Sequence, residues 1–154
     1  MKLLIKNIFF ILILFHFLST LHASSTDRDS KVIQWAQQTL IDTLSVSYTT
    51  QPQDFALIRE RYSVNAWNGL TEFLGGAMKT IRTEQLTLNP VLQGDPQILA
   101  TGNFSGIHYW VFRQSVVIEE MKVELSFTLT ILERDPLTGY PYVVQSLSIF
   151  SDNL

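Results

Sequence analysis

Ile107 to Arg134 reads IHYWVFRQSVVIEEMKVELSFTLTILER, and this run decides the fold. It is rich in β-branched and aromatic residues and holds neither Gly nor Pro. From Met121 onward it alternates strictly. Met121, Val123, Leu125, Phe127, Leu129 and Ile131 fall on one side, with Lys122, Glu124, Ser126, Thr128 and Thr130 on the other. That period of two marks a strand with one buried and one wet face. At about 3.3 Å per residue the run would extend roughly 92 Å, whereas a domain of this size is only about 36 Å across. It must double back once.

The most polar point is Glu119-Glu120-Met121-Lys122. A two-residue loop there sets Glu119 opposite Lys122 and Ile118 opposite Val123. Val116 then meets Leu125, Gln114 meets Phe127, Phe112 meets Leu129 and Trp110 meets Ile131. An odd-length loop would set every apolar side chain against a polar one, so an even loop is required. The result is a long hairpin with one apolar face that other elements must cover.

Working outward, Lys2 and Lys6 precede the apolar run Ile8 to Phe15, with Phe17-Leu18 after it, and Ser19 to Ala23 close the segment. A basic start, an apolar centre and a small residue at the cut describe an export signal cleaved between Ala23 and Ser24. The alternative is an uncleaved inner-membrane anchor, although Lys6, Asn7 and His16 interrupt the span. The chain has no Cys, which excludes disulfides and lipid attachment through sulfur. Removal of residues 1–23 takes away Lys2 and Lys6 and no acid. Eleven basic residues become nine against fourteen acidic ones, and the net charge moves from −3 to about −5. No nucleic-acid partner is expected of such a surface.

Residues 24–30 form a polar linker, and 31–154 are expected to make a single domain. Ser30 is expected to cap a helix from Lys31, carried by Ile33, Ala36, Leu40 and Leu44. A short helix over Asp54 to Arg61 follows. Another, capped by Ser63, carries Ala66, Leu70 and Leu74 and is expected to end at Gly75-Gly76, since two interior glycines cost about 1 kcal/mol each relative to Ala, with Ala77, Met78 and Ile81 giving one or two further helical turns after the break. Beyond it the chain is strand-like. Gln85 to Leu92 is a weak strand, Gly94-Asp95-Pro96 a turn, Gln97 to Gly102 a strand and Asn103 to Gly106 a turn. Asp135 to Gly139 reverses the chain into a last strand, Tyr142 to Phe150. Helices first and strands afterwards describe an α+β fold, with the helices on the concave face of a curved antiparallel sheet.

Three stretches carry a family resemblance. They are Trp35-Ala36 with Ser45-Val46-Ser47-Tyr48 after it, Tyr62 five residues before Trp67, and Gly102 to Val117 with its Tyr109-Trp110 pair. In order and spacing, over about residues 31–150, the chain resembles the DotI/IcmL family of type IVB secretion-system proteins. The resemblance implies a periplasmic domain of nuclear-transport-factor-2-like fold, acting through contacts with other secretion-apparatus proteins or as a homo-oligomer, without a cofactor. The best-known members carry a cytoplasmic tail before a transmembrane helix. The apolar segment here begins close to Met1, so a shorter, exported relative is expected.

Without its first 23 residues the chain keeps one histidine, His108, and no metal cluster can be assembled from His and Cys. His108 reads as a hydrogen-bonded residue at the sheet margin. Glu119 and Glu120 are adjacent, so on a strand they would diverge, and they read as solvated turn residues. Catalytic roles are therefore assigned to none. Gln114 is the anomaly, the single polar residue in the apolar row of its strand. It either lines a pocket or is a core amide bonded to helix-end backbone. Arg113, on the opposite face, belongs to a partner surface or a solvated one, and Trp110 stands in the same row as Gln114. The competing function is a small-molecule binder or enzyme of the same cone-shaped fold. It would need an acid or histidine within the apolar face.

Overall fold

The computed structural model describes residues 26–135, 137 and 139–154. The expected export signal, with its cut between Ala23 and Ser24, lies outside them. Ile33 to Leu154 cluster as one unit. Three helices come first, α1 (residues 26–44), α2 (Ala56–Arg59, preceded by a 3-10 turn over Pro52–Phe55) and α3 (Val64–Thr83). Four strands follow, β1 (Val91–Phe104), β2 (Ile107–Ile118), β3 (Val123–Glu133) and β4 (Tyr142–Asn153). They form an open antiparallel sheet in the order β1-β2-β3-β4, and the helices pack against one of its faces. The fold is α+β.

The β2–β3 register matches the sequence reading pair for pair, from Ile118 opposite Val123 to Trp110 opposite Ile131. Its apolar row is buried: Trp110, Phe112, Val116, Leu129 and Ile131 are wholly inaccessible to solvent. The connection is a 3-10 turn over Glu119–Met121 closed by Lys122 in the left-handed region, φ +55°. Four residues replace the expected two, and because both are even the register is kept.

Four local expectations are corrected. Residues 26–30 are already helical, so Ser30 is an interior residue and not a cap. No Gly or Pro interrupts this stretch, and Asp27 pairs with Lys31 at 2.6 Å across one turn. Next, α3 begins as expected, with the Ala66 N–H donating to Ser63 Oγ at 3.1 Å, but it continues through Gly75-Gly76 to Thr83. Ile81, buried to 1 %, anchors the last turns. The helix ends where Gln85 turns left-handed and the Leu86 N–H reaches back to Ile81 O at 2.9 Å.

The third correction concerns Gly94-Asp95-Pro96, which is not a turn between two strands. It is a bulge within β1, marked by a register shift between Gln93 and Gln97 and by Gly94 at φ +68°. Pro96, which has no N–H to offer a ladder, is accommodated there. Lastly, Gln85 to Leu92 contributes only an isolated bridge, Thr87 with Ser47, before β1 begins.

The β1–β2 turn follows its chemistry closely. Ser105 and Gly106 both have positive φ, 51° and 81°, as a two-residue hairpin loop matched to strand twist demands. The start of β4 is tied to the segment entering α3: Ser63 N–H donates to Val144 O and Val144 N–H to Arg61 O, both at 2.9 Å.

Candidate functional site

Gln114 sits at the centre of the buried sheet face, 1 % exposed. Its Nε2 donates to Gln93 O at 2.8 Å, Ser115 O at 3.1 Å and Gly94 O at 3.3 Å. Its Oε1 accepts from Gln37 Nε2 of α1 at 3.0 Å. The partners are thus the β1 bulge and a helix side chain, where helix-end backbone was expected. A bulge leaves carbonyls without ladder donors, and the amide supplies them. Both amide hydrogens are committed to backbone.

Trp110 is fully buried. Its ring meets Tyr142 edge-on at 5.6 Å and His108 at 4.3 Å, and Tyr142 in turn meets Trp35 of α1 at 5.4 Å. Such aromatic edges add roughly 0.5–1.5 kcal/mol each beyond burial. His108 is bonded through both ring nitrogens, Nε2 to Thr101 Oγ1 at 3.0 Å and Nδ1 to Asn103 Oδ1 at 3.2 Å. Arg113 lies on the other face of the sheet, exposed, between Gln97 of β1 and Thr128 of β3. A Ser115–Ser126 hydroxyl pair at 2.9 Å is its neighbour in that row. The three candidate residues therefore do not converge: two belong to the core and one to the outer surface.

Glu120 is not simply solvated. Its Oε1 accepts from Asn89 Nδ2 at 2.7 Å and its Oε2 from the Asn89 N–H at 3.3 Å. The side-chain bond from Asn89, which favours the ionised form, holds its carboxyl below the usual carboxylate range. This ties the β2–β3 turn to the segment that leads into β1. Burial does the opposite to Tyr62, whose phenol is pushed up to about 12. With Thr43 Oγ1 donating to Thr39 O at 2.6 Å, the Tyr62 hydroxyl donates to Thr43 at 2.8 Å. Arg61 beside it pairs with Asp42 at 2.6 Å and stacks over Tyr140 at 5.2 Å.

Three clefts bear on function. The first, about 300 Å³, lies between α3 and the hairpin end of the sheet, with Phe73, Met78, Ile118 and Val123 on its walls. The second, about 600 Å³, is a groove on the other side of α3. Its far wall is the Pro52–Arg59 segment, and Phe55, Trp67, Leu74 and Met78 give it an apolar lining, with Arg59 and Arg82 the charged residues in it. No carboxylate lines either cleft. The third, about 330 Å³, is polar and gathers His108, Glu133, Arg134 and Asp135 near the mouth of β2 and β3. Asp135 Oδ1 there accepts the Leu137 N–H at 2.9 Å. Among the described residues no group of three His, Cys, Asp or Glu side chains is placed to hold a metal, and no helix is long and apolar enough to cross a membrane.

The groove was not legible in the sequence. Its walls come from a segment read as a short helix and from the side of α3 that carries Thr71, Gly75 and Arg82, which look like ordinary surface positions. The one available signal was the glycine pair, read as a helix end.

No protein-family profile matches the chain, and no curated protein matches it in sequence. Solved structures do match. The periplasmic domain of DotI aligns at a TM-score of 0.68 and 16% identity, covering 79% of this chain and 94% of that one. A periplasmic fragment of TraM aligns at 0.67 and 18%, covering 82% and 98%. An IcmL-like type IV secretion system protein from Legionella pneumophila aligns at 0.62 and 16%, covering 81% and 94%. At identities this low the likeness is one of fold: the chain shares its α+β architecture with the periplasmic domain of DotI, the TraM fragment and the IcmL-like protein.

Proposed function

We propose that the protein is an exported, non-enzymatic component or accessory of a type IVB secretion or conjugation apparatus, working in the periplasm through contacts with other apparatus proteins. The observation that carries this reading is the fold shared with three secretion-system proteins or domains over about four-fifths of the chain. The side chains agree with it. The two clefts beside α3 are lined largely by apolar side chains, the kind of surface that contacts with other proteins use. Arg113 and the polar sheet face around it offer one surface for such contacts.

The test is fractionation of cells expressing a tagged chain, with N-terminal sequencing of the product and co-purification from the envelope. A chain beginning at Ser24, recovered from the periplasmic fraction together with apparatus proteins, is the expected outcome. An intact leader in an inner-membrane fraction would move the protein to an anchored role. Recovery only from cytosol, with residues 1–23 intact, would sink the export claim.

A further inference from the structure

The groove along α3 has an unusual wall. Trp67, Thr71, Leu74, Gly75, Met78 and Arg82 line it, a stripe running about 22 Å along the helix at 1.5 Å per residue. Midway stands Gly75, whose missing side chain faces open space: an added Cβ would meet nothing within 4 Å. Glycine in an exposed helix interior costs about 1 kcal/mol relative to Ala, and no contact within the chain requires it. The bare backbone keeps the middle of the groove open to something that approaches from outside.

The charge of the groove says what that something is. Arg59 and Arg82 come from its two walls, and among the described residues neither guanidinium has an ion-pair or hydrogen-bond partner. No Asp or Glu lines the groove, in a chain whose net charge is −3. We infer that the groove between Pro52–Arg59 and α3 docks an amphipathic helix of a partner protein, apolar on its inner side and flanked by carboxylates that meet Arg59 and Arg82. This deepens the reading of the protein as an apparatus component and rests on it for the existence of a protein partner.

Three arguments favour that occupant. Both walls are helical, so an extended peptide would find no strand edge for its backbone groups, whereas a helix satisfies its own. A second copy docking face to face would bring four guanidiniums together with no lining carboxylate to offset them. A membrane surface would meet a concave floor, with Phe55 and Trp67 packed against each other at 6.0 Å, where bilayer insertion needs protruding apolar side chains.

The probe is a labelled synthetic helix of about 14 residues with Leu at i, i+3, i+4 and i+7 and Glu on its flanks, titrated by fluorescence anisotropy against the purified protein. Its counterpart carries Lys for Glu. The acidic peptide should bind about tenfold tighter or more. Gly75→Leu, which fills the groove from a solvent-facing position, should weaken binding about tenfold, while Gly75→Ala should leave it within about twofold. Arg59→Glu with Arg82→Glu should reverse the peptide preference, with helix content by circular dichroism confirming that each variant folds.

Equal affinity for the two peptides would overturn the inference. So would indifference to Gly75→Leu, or arginine-dependent pelleting with phosphatidylglycerol vesicles in place of peptide binding, or a dimer in sedimentation that Gly75→Leu dissociates. A negative peptide result leaves the apparatus reading standing, because envelope co-purification reports contact through any surface. Absent co-purification with peptide binding intact removes the apparatus reading alone.

Discussion

Gln37 on α1 donates its amide to Gln114 on β2 at 3.0 Å, and Gln114 passes its own amide hydrogens to the carbonyls of the β1 bulge. One buried side chain thus fixes both a helix and an edge-strand irregularity to the middle of the sheet. Replacing it with an apolar residue of similar size leaves carbonyls of Gln93 and Gly94 without that donor. Gln114→Leu should cost about 1–3 kcal/mol in urea unfolding. Gln37→Leu, from a half-buried position, should cost less. The double variant should fall short of the sum, because the Gln37–Gln114 bond is counted in both. An increase in stability for Gln114→Leu would show that the bulge does not depend on the amide.

The hairpin was readable because two independent regularities agree there. Alternation assigns each side chain to a face, and loop parity ties the two arms together, so Trp110 to Ile118 could be paired with Val123 to Ile131 without knowing the loop. Gly94-Asp95-Pro96 was misread because turns and bulges recruit the same residues, a glycine at positive φ and a proline without a donor. What decides between them is Gln114, twenty residues away in sequence. Gly75-Gly76 failed for a related reason. Local propensity favours a break, and burial of Ile81 further along outweighs it. Gln114 could be singled out as anomalous, but its partners could not, since they depend on the bulge. The groove depends on the uninterrupted helix through Gly75 and on how α3 sits against the Pro52–Arg59 segment, and the second of these has no local signal.

Gly102 pairs with Tyr109 across β1 and β2, and the tyrosine ring lies over it. A Cβ added at Gly102 would stand 3.0 Å from Tyr109 Cε1 and 3.1 Å from its hydroxyl oxygen. Gly102→Val should therefore destabilise by about 1–3 kcal/mol through overpacking. In a Tyr109→Ser background the same substitution should become neutral or favourable, because valine suits a strand once the ring is gone. The sign change between backgrounds, read from urea midpoints, is the check. A cost that persists without the ring would place its cause in the backbone.

Tyr62 makes stability sensitive to alkali. Its phenol ionises near 10 in an unfolded chain and near 12 when folded, chiefly because burial penalises the phenolate. The folded state keeps a proton that the unfolded state loses, so the contribution is intact below pH 10 and declines as pH rises toward 12. The loss should be about 2–3 kcal/mol. Tyr62→Phe removes the hydroxyl donated to Thr43 and should cost about 1 kcal/mol near neutrality, while flattening the alkaline decline. Parallel unfolding curves for the two proteins at pH 8 and pH 11.5 separate this effect from titration of other groups. A gap between them that does not narrow with pH would mean that Tyr62 is not the source.

Gly76, next to the groove glycine, faces the cleft on the other side of α3. It too has nothing within 4 Å of where a Cβ would stand. Since it lies inside a helix of normal handedness, Gly76→Ala should stabilise the protein by about 0.5–1 kcal/mol, mainly by restricting the unfolded chain. The gain depends on the helix continuing. If α3 stopped at Gly75 in solution, an alanine at the following position would lose the conformational freedom that a helix end uses. Stability would then fall, and the amides of Met78 to Thr83 would exchange with solvent as fast as a free segment. Slow exchange at those amides together with a higher urea midpoint would establish the continuous helix, and with it the long groove wall that reaches Arg82.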